Sequence, residues 1–431
     1  DSVRPWFAPV EGAREAVVVI GDDERVICEV ELSSAQAFPC FPSCCGYLIS
    51  GDSVNDLVRE LELADSRGLQ RMLVGNGGRE RLAIIAPSRE KLLRRVASTL
   101  EKIRDPEWRG SPRNGVHRAT VPPEGHPRVG WLFDGQGAQH FRMLEELIAL
   151  FPRMREWLEK YESIVERGNG AMSVLYPWEG ETPDPDAIEY LNAMEGGASV
   201  GFILNLGLAE ILRQCGVPCE AMAGHSNGEN SALIAAGILP MSDEEVLQCC
   251  RVLIAEAEHD LDVQGQALAV SLEDRSEFDS IVEEAEGSVF LALDNCPHQA
   301  ILFGGVADIE KVRERLEESG AVCSPLPFQR PFHTPWFEAG AKSLAPFYEI
   351  APVREGHTPV YSCAHLEAFS GTKAEIVAMA LSQFHMTVRF RELIERLDRD
   401  GMGLFLEVGP GVSLKAFVDD TLGNNRALSL S

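Results

Sequence analysis

The stretch AGHSNGENSALIAAGIL, residues 223–239, places a serine between two glycines, with apolar residues before and after it. Residues 224–228, GHSNG, match G-x-S-x-G, the pattern in which a nucleophilic serine occupies a sharp turn between a strand and a helix. The flanking residues must be small, because longer side chains would collide in a turn this tight. The apolar run that follows is typical of a buried helix. This stretch therefore predicts a strand–turn–helix unit with Ser226 at the turn.

Two roles remain open for Ser226 on this stretch alone. It is either a nucleophile on a strained turn or an ordinary helix cap, since Glu229 three residues later completes an S-x-x-E capping box. In the first case, the backbone amides at the start of the helix would also stabilise an oxyanion. The choice depends on partner residues elsewhere in the chain.

The size and composition are those of a globular protein. The 431 residues are 45% hydrophobic and suffice for two or three domains. No run of about 18 apolar residues is present, so no transmembrane helix is expected. The first residues, DSVRPWF, do not resemble a secretory signal, and the missing methionine suggests a piece of a longer polypeptide. We expect a cytoplasmic protein.

The charge and the cysteines exclude several classes. A net charge of −28 argues against a nucleic-acid binder and against adsorption to anionic lipid. Residues 89–118 are rich in Lys and Arg, however, and could offer a basic surface to an acidic partner. The 11 cysteines show no disulfide-framework spacing, which indicates a reducing compartment. Cys40, Cys44 and Cys45 cluster without a second ligand pair, which favours a loop over a metal site.

The first 120 residues are typical of a small α/β unit. Strands are predicted at 16–21, 25–32, 46–50 and 81–86, and helices at 53–68 and 88–103. Residues 111–127 are rich in Pro, Gly and polar residues, and are predicted to be a linker.

From residue 128 onwards, strands and helices alternate, which indicates a parallel α/β sheet. Strands are predicted at 128–133, before Ser226, at 358–362 and at 404–409. Residues 266–328 follow a different order, βαββαβ, which is the ferredoxin-like pattern. Because α/β material resumes afterwards, this segment is interpreted as an insertion. Residues 377–401 are predicted to be mostly helical.

Four further motifs carry functional information. They are FDGQGAQ (133–139), LQCCRVL (247–253), RPFHTP (330–335) and EVGPGVSL (407–414). Together with AGHSNGE, in this order and at these spacings, they resemble the malonyl-CoA:acyl-carrier-protein transacylases and the acyltransferase domains of type I polyketide and polyunsaturated-fatty-acid synthases. The resemblance covers about residues 128–425.

The resemblance implies a fold and a division into domains. The expected fold is α/β, with a large α/β-hydrolase-like parallel-sheet subdomain (121–264 and 330–431) and an inserted ferredoxin-like small subdomain (265–329). A small α/β domain precedes them, because residues 1–120 resemble the linker between a ketosynthase and its acyltransferase.

The resemblance also implies a mechanism. Ser226 would be the nucleophile and His333 the general base, so that an acyl-enzyme forms and a second thiol then takes the acyl group. The backbone amides of Gln136 and Asn227 would form the oxyanion hole. A backbone carbonyl near Val408–Gly411 would orient the histidine. No metal and no cofactor bound by the domain itself are expected.

Three residues bear on the substrate. Arg251 stands 25 residues after the serine, where family members that select dicarboxylic acyl groups place an arginine, and a guanidinium can hold a carboxylate through two hydrogen bonds. The bulk of Phe332 would crowd a methyl group at C2, which favours malonyl over methylmalonyl. We also expect His225 to contact the substrate. The predicted reaction moves malonyl from malonyl-CoA to the phosphopantetheine thiol of an acyl carrier protein, beside a ketosynthase domain of the same polypeptide.

Three alternatives stay open. Asn227, Asn230 and the segment 196–202 depart from the family's usual residues, which leaves room for another acyl group. A serine esterase or thioesterase of the α/β-hydrolase type would need a late histidine such as His365 or His385, and the insertion argues against it. An inactive scaffold domain would be expected to lack Ser226, His333 or Arg251, all of which are present.

Overall fold

A computed structural model gives the structure of this chain. It describes residues 14–20, 24–30, 45–66, 78–86, 88–106, 108, 110–111, 114–120, 127–165, 171–177, 182–183, 185–257, 265–285, 287–327, 330–423 and 426–428. The chain divides into two compact units, Leu32–Pro127 and the remainder, Asp1–Glu31 with Arg128–Ser431. Cys40 and Cys44 lie outside the described residues.

The first two strands form a hairpin, as the sequence predicts. Strands β1 (Arg14–Ile20) and β2 (Glu24–Val30) pair antiparallel, with Ile20 opposite Glu24 at the turn. Runs of Val, Ile and Cys on either side of GDDER (21–25) are the local signal for this pairing.

The smaller unit, Leu32–Pro127, is an antiparallel sheet covered by two helices. Its elements are β3 (Cys45–Gly51), α1 (Val54–Ser66), β4 (Glu80–Ala86), α2 (Arg89–Lys102), β5 (Gly110–Ser111) and β6 (Val116–Thr120), with the strand order β3-β4-β6-β5. Leu57 and Leu61 of α1 and Leu92 and Val96 of α2 pack on the sheet. The predicted linker at 111–127 is wrong in part, because β6 pairs with β4.

The larger unit contains the remaining elements. In chain order they are β7 (Arg128–Phe133), α3 (Glu145–Leu150), α4 (Pro152–Glu162), α5 (Ala171–Leu175), α6 (Pro185–Asn192), α7 (Ser199–Gln214), β8 (Ala221–Gly224), α8 (Gly228–Ala235), α9 (Asp243–Ala257), β9 (Gln266–Ser271), α10 (Arg275–Glu284), β10 (Val289–Cys296), β11 (Gln299–Gly304), α11 (Val306–Glu318), β12 (Val322–Leu326), α12 (Glu338–Ala341), α13 (Ala345–Glu349), β13 (Val360–Tyr361), α14 (Lys373–Ser382), α15 (Phe390–Arg399), β14 (Met402–Val408), α16 (Ser413–Leu422) and β15 (Ala427–Leu428). A π-helical turn, Met194–Ala198, precedes α7.

A parallel sheet organises this unit and positions the site. Its strand order is β13-β8-β7-β14-β15, with every neighbouring pair parallel. The strands β7 and β8 are continuous buried apolar runs, as expected when both faces of a parallel sheet are covered. The register sets Phe133 opposite both Gly224 and Val408. Three central strands therefore end level, and the loops that follow them meet at one edge of the sheet, where open α/β sheets bind ligands.

The segment 265–327 forms a second, separate sheet. Its order is β10-β11-β9-β12, with all pairs antiparallel, and the chain order is the predicted βαββαβ. Helices α10 and α11 pack on it through Phe278, Ile281, Ile309 and Leu316. Its strand β10 lies close to the end of β8, since the Oδ1 of Asn295 is 2.7 Å from the Nε2 of His225.

Residues 377–401 are mostly helical, as predicted, but they belong to two helices. The structure has α14 and α15, separated by residues 383–389. Within this break the backbone of Val388 pairs with β10, donating to the carbonyl of Ala292 (2.9 Å) and accepting from the amide of Asp294 (2.8 Å). Thr387 and Val388 are β-branched and favour extended backbone, which explains the interruption.

In the parts of the chain that the structure describes, no single helix has the length and apolar character needed to cross a membrane. One bent pair, Pro185–Asn192 with Gly196–Gln214, meets that requirement by length and composition together.

Candidate active site

Ser226 occupies a strained turn between β8 and α8. Its φ is 53°, in the left-handed region that a non-glycine residue rarely adopts. Steric constraints explain why glycines occupy positions 224 and 228, two residues before and two residues after Ser226. A Cβ at Gly224 would lie 1.9 Å from the carbonyl carbon of Gly228, and a Cβ at Gly228 would lie 2.1 Å from the carbonyl oxygen of Phe133. Strain of this kind costs about 1–3 kcal/mol and is typical of functional sites.

Ser226 and His333 form a hydrogen-bonded pair. The Ser226 Oγ lies 2.7 Å from the Nε2 of His333, and the Nδ1 of His333 lies 2.7 Å from the carbonyl oxygen of Gln383. A carbonyl oxygen only accepts, so Nδ1 carries the ring proton. The Nε2 atom therefore accepts from the serine hydroxyl, which is the arrangement that a general base requires.

The environment of His333 keeps its ring neutral. Burial lowers the pKa of His333 to about 4, while the Gln383 carbonyl partly opposes this shift by stabilising the protonated ring. The nearby His225 also lowers the pKa. At neutral pH the ring is thus in the form that can take a proton from Ser226.

The carbonyl that orients His333 is not the expected one. The sequence predicts it near Val408–Gly411, but it belongs to Gln383, the residue at the end of α14. The last carbonyls of a helix lack helical partners, so one of them is available to a side chain. The Nε2 of Gln383 lies 3.4 Å from the Oδ1 of Asn230, which also accepts from the Tyr348 hydroxyl at 2.7 Å. The helix end is therefore held in place by buried polar contacts.

The GPG turn at 409–411 supports a different part of the site. The amide of Gly411 donates to the Oδ2 of Asp134 at 2.6 Å, and a Cβ at Gly409 would lie 2.3 Å from that same oxygen. Burial, and then the neighbouring carboxyl of Glu407, raise the pKa of Asp134 well above its ordinary value. Asp134 begins the DGQG turn, so the GPG turn fixes that turn rather than the histidine.

The DGQG turn lies against the serine. The amide of His225 donates to the carbonyl of Phe133 at 2.9 Å, and a Cβ at Gly135 would lie 2.2 Å from the carbonyl oxygen of His225. This close approach sets Gln136 beside Ser226. Among the hydrogen bonds of the described residues, neither the Gln136 amide nor the Asn227 amide has an acceptor.

A cavity of about 680 Å³ opens onto the pair. Ser226 and His333 line it together with Gln136 and Asn227. Most of the remaining wall is apolar, and it comes from α9, from the segment before α12 and from strands β9 to β12. The parallel sheet thus positions Ser226, while the antiparallel sheet supplies much of the wall.

Two of the expected substrate contacts line this cavity. His225 is buried, and its Nε2 lies 2.7 Å from the Oδ1 of Asn295 on β10. Burial lowers the pKa of His225, so this ring is also neutral. Phe332 packs on Phe337, with 4.4 Å between their ring centroids, which limits its freedom to move.

The structure does not bring Arg251 to the cavity. Its side chain is 51% exposed, and its guanidinium lies 3.8 Å from the carboxylate of Glu244. The residue of α9 that lines the cavity is Leu253. Successive residues turn about 100° around a helix, so positions 251 and 253 point about 160° apart. The buried Cys249, Cys250 and Leu253 mark the inner face, which could have been recognised from the sequence.

Sequence reasoning also missed Arg330. It is the only Lys or Arg among the described residues that line the cavity, and no Asp or Glu is among them. Its guanidinium carbon lies 5.8 Å from the ring centroid of Phe332, a cation–π distance. The motif RPFHTP contains it, three residues before the histidine.

The residues needed by an α/β-hydrolase esterase are placed elsewhere. The Nε2 of His365 lies 2.6 Å from the Oγ of Ser382, and neither His365 nor His385 lines the cavity. In the described part of the chain, no group of three His, Cys, Asp or Glu side chains could hold a metal ion.

Comparisons with known proteins agree with this arrangement. Residues 130–429 match the family model described as an acyl transferase domain. The malonyl CoA-acyl carrier protein transacylase of Bacillus subtilis (strain 168) is 26% identical over 294 residues, which are 68% of this chain and 89% of that protein. A polyunsaturated fatty acid synthase polypeptide of a Thraustochytrium species is 26% identical over 333 residues, which are 74% of this chain but 12% of that protein.

Among solved structures, the acyl transferase domain of SpnD, in complex with 2-(pent-4-yn-1-yl)malonyl, aligns with a TM-score of 0.68 at 19% identity. The alignment covers 91% of each chain and shows the shared fold. Since the family model spans well over half of the sequence, this chain belongs to the acyl transferase domain family, whose members are transferases.

Proposed function

We propose that this chain transfers malonyl from malonyl-CoA to the phosphopantetheine thiol of an acyl carrier protein, through an ester on Ser226. The observation that carries the proposal is the 2.7 Å contact between the Ser226 Oγ and the His333 Nε2 at a cavity of about 680 Å³. The names of its relatives support the substrate and the partner, because the Bacillus protein is a malonyl CoA-acyl carrier protein transacylase.

The first half-reaction forms the acyl-enzyme. The Ser226 oxygen attacks the thioester carbonyl, and its proton passes to the Nε2 of His333. When the tetrahedral intermediate collapses, the carbon–sulfur bond breaks and the proton on Nε2 passes to the leaving CoA sulfur. In the second half-reaction the pantetheine thiol gives its proton to Nε2 and attacks the ester, and Ser226 recovers a proton as it leaves.

The negative oxygen of each intermediate would accept from the amides of Gln136 and Asn227. Both amides lack an acceptor among the described residues, and both flank the serine. Donors held in place before the reaction stabilise developing charge without reorganising. Removal of one such donor typically costs about 100- to 1000-fold in rate.

The proposed biological setting follows from the family. The chain matches nearly the whole of a free-standing transacylase but small parts of large synthases. We propose that residues 1–120 act as the linker to a ketosynthase domain, 121–264 with 330–431 as the large subdomain, and 265–329 as the small one. The carrier protein would then belong to a polyketide or fatty-acid-type synthase.

The test is acylation of the purified chain. Incubation with malonyl-CoA should increase the intact mass by one malonyl group, and peptide mapping should place it on Ser226. Ser226→Ala should abolish this adduct, because no nucleophile remains. Ser271→Ala is the matched control, since Ser271 is exposed on β9 and does not line the cavity. It should load like the unchanged chain.

The second half-reaction needs its own measurement. Addition of a carrier protein with its phosphopantetheine should move malonyl to the carrier faster than water releases malonate. An adduct that persists in Ser226→Ala would contradict the proposed nucleophile. Release of malonate that the carrier protein does not outcompete would instead indicate a thioesterase.

A further inference from the structure

A residue that lines the cavity has to compensate the negative charge of a malonyl group. A malonyl ester on Ser226 keeps a carboxylate, and such a charge in a largely apolar cavity is costly unless a cation or several donors meet it. Arg251, the residue expected to do so, lies on the outward face of α9 with half of its side chain exposed. Leu253 occupies the inward face, and it offers no charge.

Arg330 supplies a cation in the lining of the cavity. It lines the cavity together with Ser226, His333 and Phe332. Its guanidinium carbon is 5.8 Å from the Phe332 ring centroid, and that ring centroid is 6.3 Å from the centre of the His333 ring. Arg330, Phe332 and His333 therefore form one short segment of chain that lines the cavity. No carboxylate is among the described lining residues, so among these residues a negatively charged ligand meets one cation and no like charge.

We propose that Arg330, and not Arg251, binds the free carboxylate of the acyl group and so selects malonyl over uncharged acyl groups. This inference rests on the proposed function. The guanidinium would donate two parallel hydrogen bonds to the carboxylate, and its position on Phe332 would set the direction in which the acyl chain extends from Ser226. Arg330 then acts on substrate choice, while Ser226 and His333 carry out the transfer.

The phosphates of CoA are also anions, and one of them could bind to Arg330 in place of the malonyl carboxylate. The experiment therefore uses four substrates: malonyl-CoA, acetyl-CoA, and the malonyl and acetyl thioesters of N-acetylcysteamine, which has no phosphate. The rate of Ser226 acylation is measured for each by quenched mass spectrometry. The variants are Arg330→Ala and Arg330→Lys, and Arg251→Ala is the matched control.

We expect Arg330→Ala to slow malonyl loading about 100-fold from both thioesters, the scale of a lost buried charge pair. The rate of acetyl loading should change less than about threefold. This small change would also show that Ser226 and His333 remain aligned in the variant. Arg330→Lys keeps the charge without the planar fork and should recover part of the malonyl rate. Arg251→Ala should leave all four rates as they are.

Three results would overturn the inference. If Arg330→Ala slows both CoA substrates and neither N-acetylcysteamine substrate, Arg330 meets a CoA phosphate. If it slows all four alike, its role is to support His333. If Arg251→Ala is the variant that loses malonyl selectivity, Arg251 is the carboxylate partner. Failure of the unchanged chain to load any substrate would instead contradict the proposed function itself.

Discussion

At the scale of single residues, the site depends on one histidine whose charge state is set by burial. The ring of His333 is enclosed, and its Nδ1 donates to the Gln383 carbonyl. Burial destabilises the protonated ring more than the carbonyl stabilises it, and the pKa is lowered to about 4. The neutral form, which is the form the proposed base requires, is therefore present over a wider pH range than for an ordinary histidine.

The pH dependence of Ser226 acylation tests this environment. We expect the loading rate to stay level from pH 8 to about 5 and to fall only as the pH approaches 4. An ordinary histidine would already lose half of its neutral form at about pH 6.5. Loading is followed by mass spectrometry, and circular dichroism at each pH checks that the chain is folded. A half-maximal rate near pH 6.5 would contradict the buried, neutral ring.

The same shift affects stability in a defined direction. Between about pH 6.5 and 4 the unfolded chain binds a proton at His333 that the folded chain does not. Unfolding is therefore favoured progressively as the pH falls through this window. The contribution is fully present above the unfolded pKa, so stability near neutral pH does not depend on this residue's titration.

At the scale of secondary-structure elements, the turn between β8 and α8 depends on backbone contact. Gly228 is the first residue of α8, and a Cβ on it would lie 2.1 Å from the carbonyl oxygen of Phe133 and 2.7 Å from that of Asp134. Any side chain there would separate the helix from the neighbouring strand. Ser226 and the Asn227 amide would move with the helix, so the packing at this position is coupled to the geometry of the proposed active site.

Gly228→Ala tests this contact. Its Cβ would lie 2.1 Å from the Phe133 oxygen, so backbone must move, and we expect a loss of about 3 kcal/mol or more in the free energy of unfolding. Gly201→Ala in α7 is the matched control, because a Cβ there meets nothing within 4 Å. It should stabilise the helix by about 0.5–1 kcal/mol. Urea denaturation measures both, and equal effects would show that the close approach is not what constrains Gly228.

At the scale of the whole molecule, the antiparallel sheet is held to α15 by a buried carboxylate. The Asp294 side chain is 4% exposed and accepts from the Nη2 atoms of Arg275 at 2.7 Å and Arg391 at 2.9 Å. The side chain of the adjacent Asn295 contacts His225, which precedes Ser226 in the chain. The junction therefore links the wall of the cavity to the residue next to Ser226.

Removal of this carboxylate should destabilise the larger unit strongly. Asp294→Ala leaves two partly buried arginines without their shared partner, and we expect a cost of about 3–5 kcal/mol in the free energy of unfolding. The control is Asp308→Ala, because Asp308 pairs with Lys311 at 2.9 Å on the exposed surface of α11. That pair should contribute about 0–1 kcal/mol. A difference below about 1 kcal/mol between the two variants would show that Asp294 does not hold the junction.

The sequence by itself determined the nature of the elements and the type of reaction. Glycine spacing around Ser226, the apolar runs of the strands and the order of the motifs depend on local sterics and periodicity, and these can be recognised without coordinates. The parallel sheet and the βαββαβ insertion were predicted correctly for this reason. The mostly helical character of residues 377–401 was also predicted, but the interruption at 383–389 was not, because pairing with β10 overrides helical propensity there.

Only the tertiary structure decided which residues face the cavity and which atoms meet. The partner of His333 is a carbonyl 50 positions further along the chain, at a helix end whose location depends on packing. Arg251 and Arg330 both appear in motifs, and the motifs do not say which of them faces inwards. Which arginine faces the cavity depends on the rotation of α9 about its own axis and on the path of the chain just before His333. Both are set by burial of apolar side chains that are far apart in the sequence.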